Sequence, residues 1–228
     1  MAADHYIPSD DTLLWRHMKL NSFLELLSGH LIQTRIDVLN DAAEGAYGYK
    51  HIRLNGAADV TEAIRKARAR TVATYWFEFE ERESYGMWNV YGRTGESVAI
   101  ETTAGALREI LARAGDVRIE RMRYEPMQGQ IDDIAELFFH KRREYKEERE
   151  IRSVQVFPEP LKEPIVDQRL SLDDLNRFVR RIILAPDSRQ TFIEAVKHVV
   201  DSVFDFEEKH FHGEICGSAL DEDLIPQS

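Results

Sequence analysis

Hydrophobic positions change their period several times along the chain, and each change predicts a new element. Short apolar runs predict strands over 12–16, 31–34, 72–79, 97–101, 117–124, 151–157 and 181–184. Helical spacing of apolar residues predicts helices over 60–70 and 131–147, and further helices that begin near Ser22, Thr102 or Thr103, and Ser188. Because strands and helices do not alternate regularly, the pattern favours an α+β fold with a mixed or antiparallel central sheet and helices packed around it.

The domain organisation follows from what separates these elements. No internal repeat and no linker rich in Pro, Gly or Ser divides the 228 residues. We therefore predict one domain over 1–228, with flexible ends at 1–10 and 218–228. Its length is sufficient to bury a core without a disulfide or metal ion.

Charge and composition exclude some functions. The formal net charge of −11 disfavours electrostatic binding of the whole protein to nucleic acid or to an anionic membrane. Nucleic acid could bind only at a local basic patch. The single cysteine, Cys216, excludes an internal disulfide and a cysteine zinc cluster. We expect a cytoplasmic protein, because no apolar run reaches the roughly 20 residues of a membrane span and the N-terminus lacks the order of a signal peptide.

The densest group of candidate functional side chains lies in 141–152. On the predicted helix, Lys141, Tyr145 and Glu148 share one face. On the extended segment that follows, Glu150 and Arg152 point the same way. Carboxylates this close raise one another's pKa, or share a metal ion or a developing cation. The alternative is a solvated helix face with weak ion pairs between neighbouring turns.

A second candidate group is aromatic. Trp76, Glu83, Trp88 and Tyr91 fall within one short stretch, and indole rings beside carboxylates can form a flat pocket for a base or a nicotinamide ring. The alternative for both tryptophans is a place in the core, whereas Glu83 needs a partner if it is buried.

Arg16 follows Trp15 on the first predicted strand. Its guanidinium could offer a bidentate fork to a phosphate or a carboxylate. The alternative is a surface ion pair with Asp41 or Glu44.

Taken in order, these segments resemble a family of uncharacterised bacterial proteins, a domain of unknown function found near mobile elements and phage-defence genes. The segments that carry the resemblance are 14–16, Asn40-Asp41-Ala-Ala-Glu44-Gly45, Trp76 to Glu83, Met87-Trp88-Asn-Val-Tyr91-Gly92, 98–103, Lys141-x3-Tyr145-x2-Glu148-x-Glu150-x-Arg152 and 182–186.

The chain also has a more distant resemblance to ADP-ribosyltransferases of the arginine–serine–glutamate type. The resemblance lies in an arginine on the first strand, Arg16, and in an E-x-E pair, Glu148 and Glu150, that leads into a late strand. It implies that NAD is the substrate, that Arg16 holds its phosphates or ribose, that Glu150 stabilises the oxocarbenium-like transition state, and that Glu148 positions the acceptor. Where this family has a Ser-Thr-Ser strand, the chain offers only Thr74.

The leading hypothesis is an ADP-ribosyltransferase-like or NAD-cleaving effector, in phage defence or a toxin system. It would act on a small-molecule nucleotide, with a macromolecular acceptor or a partner protein also open. Its predicted residues are Glu150 and Glu148 for catalysis, Arg16, Trp76, Glu83, Trp88 and Tyr91 for the cofactor, and Lys141, Tyr145 and Arg152 for substrate or phosphate.

Two alternatives stay open. The first is a metal-dependent nuclease with Lys141 or Arg142 facing the phosphate. Its Mg²⁺ ligands would be Asp41, Glu44, Glu83, Glu148 and Glu150. The second alternative is a non-catalytic module that senses a ligand or binds a partner. In the leading hypothesis we expect Arg16, Glu83 and the Glu148/Glu150 pair to line one cleft.

Overall fold

The structure, a computed structural model, describes residues 6–39, 44–79, 82–92 and 96–221. The chain forms two compact units. The first unit consists of Met1–Ser9, Ile32–Glu78 and Leu111–Gln168, and the second unit consists of Asp10–Leu31, Phe79–Ile110 and Arg169–Ser228. The predicted flexible ends lie partly outside the described residues.

Strands and helices follow one another in irregular order. The strands are β1 (Leu13–Lys19), β2 (His30–Arg35), β3 (Ile52–Leu54), β4 (Thr71–Glu78), β5 (Ser97–Thr103), β6 (Arg118–Arg121), β7 (Gly129–Ile131), β8 (Glu150–Val156), β9 (Ile165–Arg169), β10 (Arg181–Leu184) and β11 (Glu214–Cys216). The α-helices of seven residues or more are α1 (Leu20–Leu27), α2 (Val60–Arg68), α3 (Ala104–Leu111), α4 (Leu172–Phe178) and α5 (Gln190–Asp205). Parallel and antiparallel pairs both occur, so the predicted α+β fold with a mixed sheet is confirmed.

The first unit is built around β4 and β8, which pair antiparallel over seven residues. Strand β6 pairs with the other edge of β8, and β2 with the other edge of β4, both antiparallel. Because β8 has a neighbour on each edge and its residues Glu150 to Gln155 are all buried, its polar side chains must find partners inside the protein. Helix α2, capped by the Asp59 carboxylate, buries Ile64 and Ala67 in the same core.

The second unit holds the strands β11, β10, β5 and β1 in that order. Strand β5 pairs antiparallel with both β1 and β10, whereas β10 and β11 are parallel. Helix α1 buries Phe23, Leu26 and Leu27, and helix α5 buries Val196, Val200 and Phe204 at helical spacing. Among the described residues no helix combines the length and the apolar character that a membrane crossing requires.

The predicted long helix over 131–147 is wrong. Two 3₁₀-helices, Ile134–Phe139 and Arg143–Glu148, take its place, and His140 between them is extended. The reason is a backbone bridge to Arg123, whose N–H donates to the Phe139 carbonyl and whose carbonyl accepts from the Lys141 N–H. A pairing partner distant in sequence thus replaces the local helical hydrogen bonds.

Two predicted caps are also wrong. Ser22 lies inside α1, which begins after Lys19, and the Ser188 hydroxyl donates to the Ala185 carbonyl instead of capping α5. By contrast, the Thr103 hydroxyl accepts from the Ala106 N–H at the start of α3, as predicted.

Candidate active site

The candidate site in the first unit is built on the start of β8. Glu150 and Arg152 lie two residues apart on this strand and therefore share one face. Their side chains are 1% and 0% exposed. Charges at this depth persist only when they are paired and hydrogen-bonded.

Each carboxylate oxygen of Glu150 has a cationic partner. Oε1 accepts from Arg152 Nε at 2.6 Å, and Oε2 accepts from Lys141 Nζ at 2.8 Å. The same Lys141 ammonium donates to Glu148 Oε2 at 2.5 Å. Lys141 therefore bridges the two glutamates of the E-x-E pair and holds them close together.

Arg152 has a second carboxylate partner, Glu44, in the segment before α2. Nη1 donates to Glu44 Oε2 at 2.6 Å and Nη2 donates to Oε1 at 3.1 Å, which is the two-pronged geometry that guanidinium favours. Nη1 also donates to the Phe138 carbonyl at 2.9 Å. We call Glu44, Arg152, Glu150, Lys141 and Glu148 the charge cluster. With three carboxylates against two cations, its formal charge is −1.

The charges around them keep Glu150 and Lys141 ionised. Burial by itself raises the pKa of Glu150, but the charges of Arg152 and Lys141 more than offset it, so that the pKa lies below its usual value. Burial lowers the pKa of Lys141, whereas the two glutamates raise it, and the pKa of Lys141 ends above its usual value. The result is a fixed, negatively charged carboxylate at Glu150.

Three tyrosines surround the charge cluster. The Tyr145 ring lies 4.6 Å from Lys141 Nζ, and the Tyr75 ring lies 4.9 Å from the Arg152 guanidinium carbon, both as cation–π contacts. The Tyr124 hydroxyl accepts from the Glu150 N–H at 2.9 Å, and burial raises the pKa of Tyr124, so that the phenol stays neutral.

The edge of the charge cluster that reaches the surface is formed by the 3₁₀-helix Arg143–Glu148. The side chains of Glu148 and Lys141 are 12% and 10% exposed, and Tyr145 is half-buried. A ligand approaching the charge cluster from solvent would therefore meet Glu148 and Lys141 before Glu150.

Glu44 depends on the glycine that follows it. Gly45 has a φ of +71°, which favours glycine, and a Cβ at this position would lie 2.6 Å from the Phe138 ring. The chain can thus turn tightly against Phe138, whose own carbonyl accepts from Arg152. The Glu-Gly pair of the sequence motif is explained by these two requirements. Its preceding residues Asn40 and Asp41 lie outside the described residues.

Glu83, in the second unit, has the partners that a half-buried carboxylate needs. It accepts from Trp88 Nε1 at 3.0 Å, from the Ser218 hydroxyl at 2.5 Å and from the Ala219 N–H at 2.7 Å. These bonds join the π-helix Trp88–Gly92 to the C-terminal segment. Glu83 thus stabilises the local structure, and fully buried Trp88 belongs to the core, whereas Tyr91 is half-buried on the same π-helix.

Arg16 lies on the other face of β1 from the aromatic residues. Trp15 stacks on Phe79 with ring centroids 4.5 Å apart, and His17 meets the Trp88 ring edge-on at 4.6 Å. Since side chains alternate along a strand, Arg16 points away from this group. Arg16 and Trp88 therefore do not form one pocket on the same face of β1.

Trp76 is separated from the charge cluster by the sheet of the first unit. Tyr75 pairs with Arg152 in the register of β4 and β8, whereas Trp76 pairs with Ile151 and faces the opposite side. Trp76 is fully buried, and its Nε1 donates to Thr74 Oγ1 at 2.8 Å. Burial of this kind is typical of a core residue.

The structure brings together the five predicted residues of 141–152, although not as expected. They meet through a 3₁₀-helix and the start of a strand, and not through the predicted long helix. Arg16, Glu83, Trp88 and Tyr91 belong to the second unit, and the common cleft with Glu150 stays a prediction. The sequence did not predict that Tyr75, Tyr124 and Glu44 would contact this group of residues. The Glu-Gly step in a turn was the one sequence feature that pointed to Glu44.

The carboxylates proposed for Mg²⁺ are bound to protein cations. Glu44, Glu148 and Glu150 all accept from Lys141 or Arg152, whose cationic groups lie where a metal ion would have to bind. Within the described ranges no group of three or more His, Cys, Asp or Glu side chains is arranged to hold a metal ion. Of the remaining ligands, Glu83 belongs to the second unit and Asp41 lies outside the described residues.

Because burial lowers the pKa of His17, the protein should lose stability in acid. The pKa of His17 falls from 6.5 to about 4, so the unfolded chain binds more protons than the folded one between these pH values. The free energy of unfolding should therefore fall as the pH is lowered from 6.5 to about 4. Urea denaturation at several pH values would show this, and a folded His17→Gln variant should have a flatter profile. An unchanged slope in that variant would contradict the prediction.

Comparisons with known proteins give a likeness in structure only. No protein-family model matches the chain, and no curated protein matches it. DarT from Thermus sp. 2.9 in complex with ADP-ribosylated ssDNA superposes with a TM-score of 0.43 at 12% identity, over 92% of this chain and 95% of that chain. The same protein with carba-NAD+ gives 0.42 at 10% identity over 91% and 96%, and with NAD+ it gives 0.41 at 11% over 92% and 96%. Likeness at this level carries no functional argument, and the resemblance to the family of unknown function stays a prediction.

Proposed function

We propose that this protein is an ADP-ribosyltransferase-like enzyme that uses NAD+ as its substrate and acts at the charge cluster. The observation that supports the proposal is the pairing of Glu150 with Arg152 and Lys141, which keeps a carboxylate ionised and fixed beside the more exposed Glu148. Glu148 and Glu150 have the E-x-E spacing on which the resemblance to ADP-ribosyltransferases rests.

The chemistry requires such a carboxylate. The bond between ribose C1′ and the nicotinamide nitrogen breaks, both its electrons leave with the ring, and nicotinamide departs neutral. Positive charge then develops on the ribose, and a preorganised negative group in a site with little water stabilises it. A nucleophile on the acceptor, or water, forms the new bond to C1′ and loses a proton.

In our proposal each residue of the charge cluster has a separate role. Glu150 supplies the fixed negative charge, and Glu148, nearer the surface, orients the acceptor. Lys141 and Arg152 hold the two carboxylates, and the Tyr145 ring offers an aromatic surface at the edge. Cofactor contacts by Arg16, Trp76, Glu83, Trp88 and Tyr91 remain predictions, and so does an effector role in toxin or phage-defence systems, which rests on the family resemblance alone.

The test is release of nicotinamide. Purified protein is incubated with NAD+ in the presence and absence of EDTA, with and without candidate protein and nucleic-acid acceptors, and nicotinamide is quantified by chromatography. We expect release that EDTA leaves unchanged. Absence of release under every condition would contradict the proposal. Cleavage of nucleic acid that EDTA abolishes would favour the nuclease instead.

A further inference from the structure

Glu44 occupies an unusual place in the charge cluster. Its carboxylate accepts from Arg152, and its side chain is 6% exposed. It accepts from both Nη groups of the guanidinium, whereas Glu150 accepts from Nε. Arg152 is thus shared between two carboxylates, with two hydrogen bonds to Glu44 and one to Glu150.

We infer that Glu44 is a positioning residue, which acts through Arg152 to fix Glu150 and to keep the negative charge of Glu150 available to the substrate. The inference rests on the proposed function. An arginine that faced Glu150 alone would both turn toward it and neutralise it. With Glu44 bound to its two Nη groups, the guanidinium is held in place and its charge is shared between Glu150 and Glu44.

The charges around Glu150 make the effect of Glu44 predictable in sign. The titratable and charged groups around Glu150 are Lys141, Glu148, Arg152 and Tyr124. Those that act on Arg152 in addition are Glu44 and Tyr75. Replacing Glu44 with glutamine changes the formal charge of the cluster from −1 to 0 and leaves the positive charge of Arg152 to act on Glu150. The pKa of Glu150 should then fall further, because its ionised form is stabilised more.

The kinetic test uses Glu44→Gln in the full chain with NAD+. We expect kcat to fall about 10- to 100-fold, the usual loss when a supporting partner of a site residue is removed. KM should be unchanged, since buried Glu44 does not reach the substrate. The acid limb of the kcat–pH profile should move to lower pH. An unchanged kcat, or an acid limb that moves to higher pH, would overturn the inference.

A second variant separates charge from folding. Glu44→Asp keeps the charge but is one methylene shorter, so its carboxylate lies farther from the two Nη groups; we expect a smaller loss of kcat and the acid limb of the native protein. Glu62→Gln is the matched control, because Glu62 forms an exposed ion pair with Arg65 in the same unit. It should leave kcat and the pH profile unchanged. If neither Glu44 variant folds, Glu44 is a structural residue only and the inference is wrong.

A measurement that needs no enzyme activity distinguishes a failure of the inference about Glu44 from a failure of the proposed function. The carboxyl ¹³C signal of Glu150, assigned with a Glu150→Gln variant, can be titrated in the native protein and in Glu44→Gln. We expect a lower pKa of Glu150 in the variant, and an unmoved pKa would overturn the inference whatever the enzyme activity. If the native protein releases no nicotinamide but the pKa moves, the proposed function fails while the action of Glu44 on Glu150 stands.

Discussion

Replacing Glu150 with glutamine should lower the rate of nicotinamide release from NAD+ by roughly 10²–10³-fold, the loss seen when one preorganised electrostatic stabiliser is removed. Glutamine keeps the shape and an oxygen that can accept from Arg152 or Lys141, but it removes the negative charge. The protein should still fold, because the charge cluster then holds two carboxylates and two cations and is balanced. Nicotinamide release by the purified variant measures the effect directly.

Two further variants make this result specific. Glu120 is also a buried glutamate of the first unit and is paired with Arg118 and Arg123, so a folded Glu120→Gln variant should keep the native rate. Glu148→Gln should weaken transfer to an acceptor more than hydrolysis of NAD+. A folded Glu150→Gln variant with the native rate would exclude the proposed mechanism.

Replacing Arg152 with methionine should lower the free energy of unfolding by about 3–5 kcal/mol, the cost of removing one partner from a buried ion pair. Arg152 is fully buried, and its loss leaves Glu44 without its only described cationic partner and Glu150 with Lys141 alone. Two carboxylates would then lie in an apolar interior with incomplete compensation. Chemical denaturation of the native protein and the variant measures the difference.

The double variant Glu44→Leu/Arg152→Met tests the cause of that loss. Removing both partners of a buried pair is often neutral or stabilising, so the double variant should recover much of the lost stability. Arg65→Met, which breaks an exposed pair with Glu62, should change the free energy of unfolding little. A loss of less than about 1 kcal/mol in Arg152→Met would contradict the description of the charge cluster as a buried, interdependent network.

Much of the fold was determined locally and could therefore be predicted. The strand Arg181–Leu184 and the helix that begins at Val60 follow from the spacing of apolar residues, which depends only on neighbours in sequence. The α+β class follows from the irregular order of such elements. Short edge strands such as β3, β7 and β11 were not predicted, because three residues carry too little periodicity and are defined only by their pairing partners.

The candidate site shows the same division. Sequence spacing could group the predicted residues of 141–152, because Lys141, Tyr145 and Glu148 share a face in a helix and Glu150 and Arg152 share a face in a strand. Their conformation could not be predicted, because the bridge between Arg123 and His140 replaces the helix with two 3₁₀-turns. What only the tertiary structure decided is the partner of each charge. Glu44 reaches Arg152 across 108 positions, and this pairing, set by burial and not by spacing, anchors the arginine that binds Glu150.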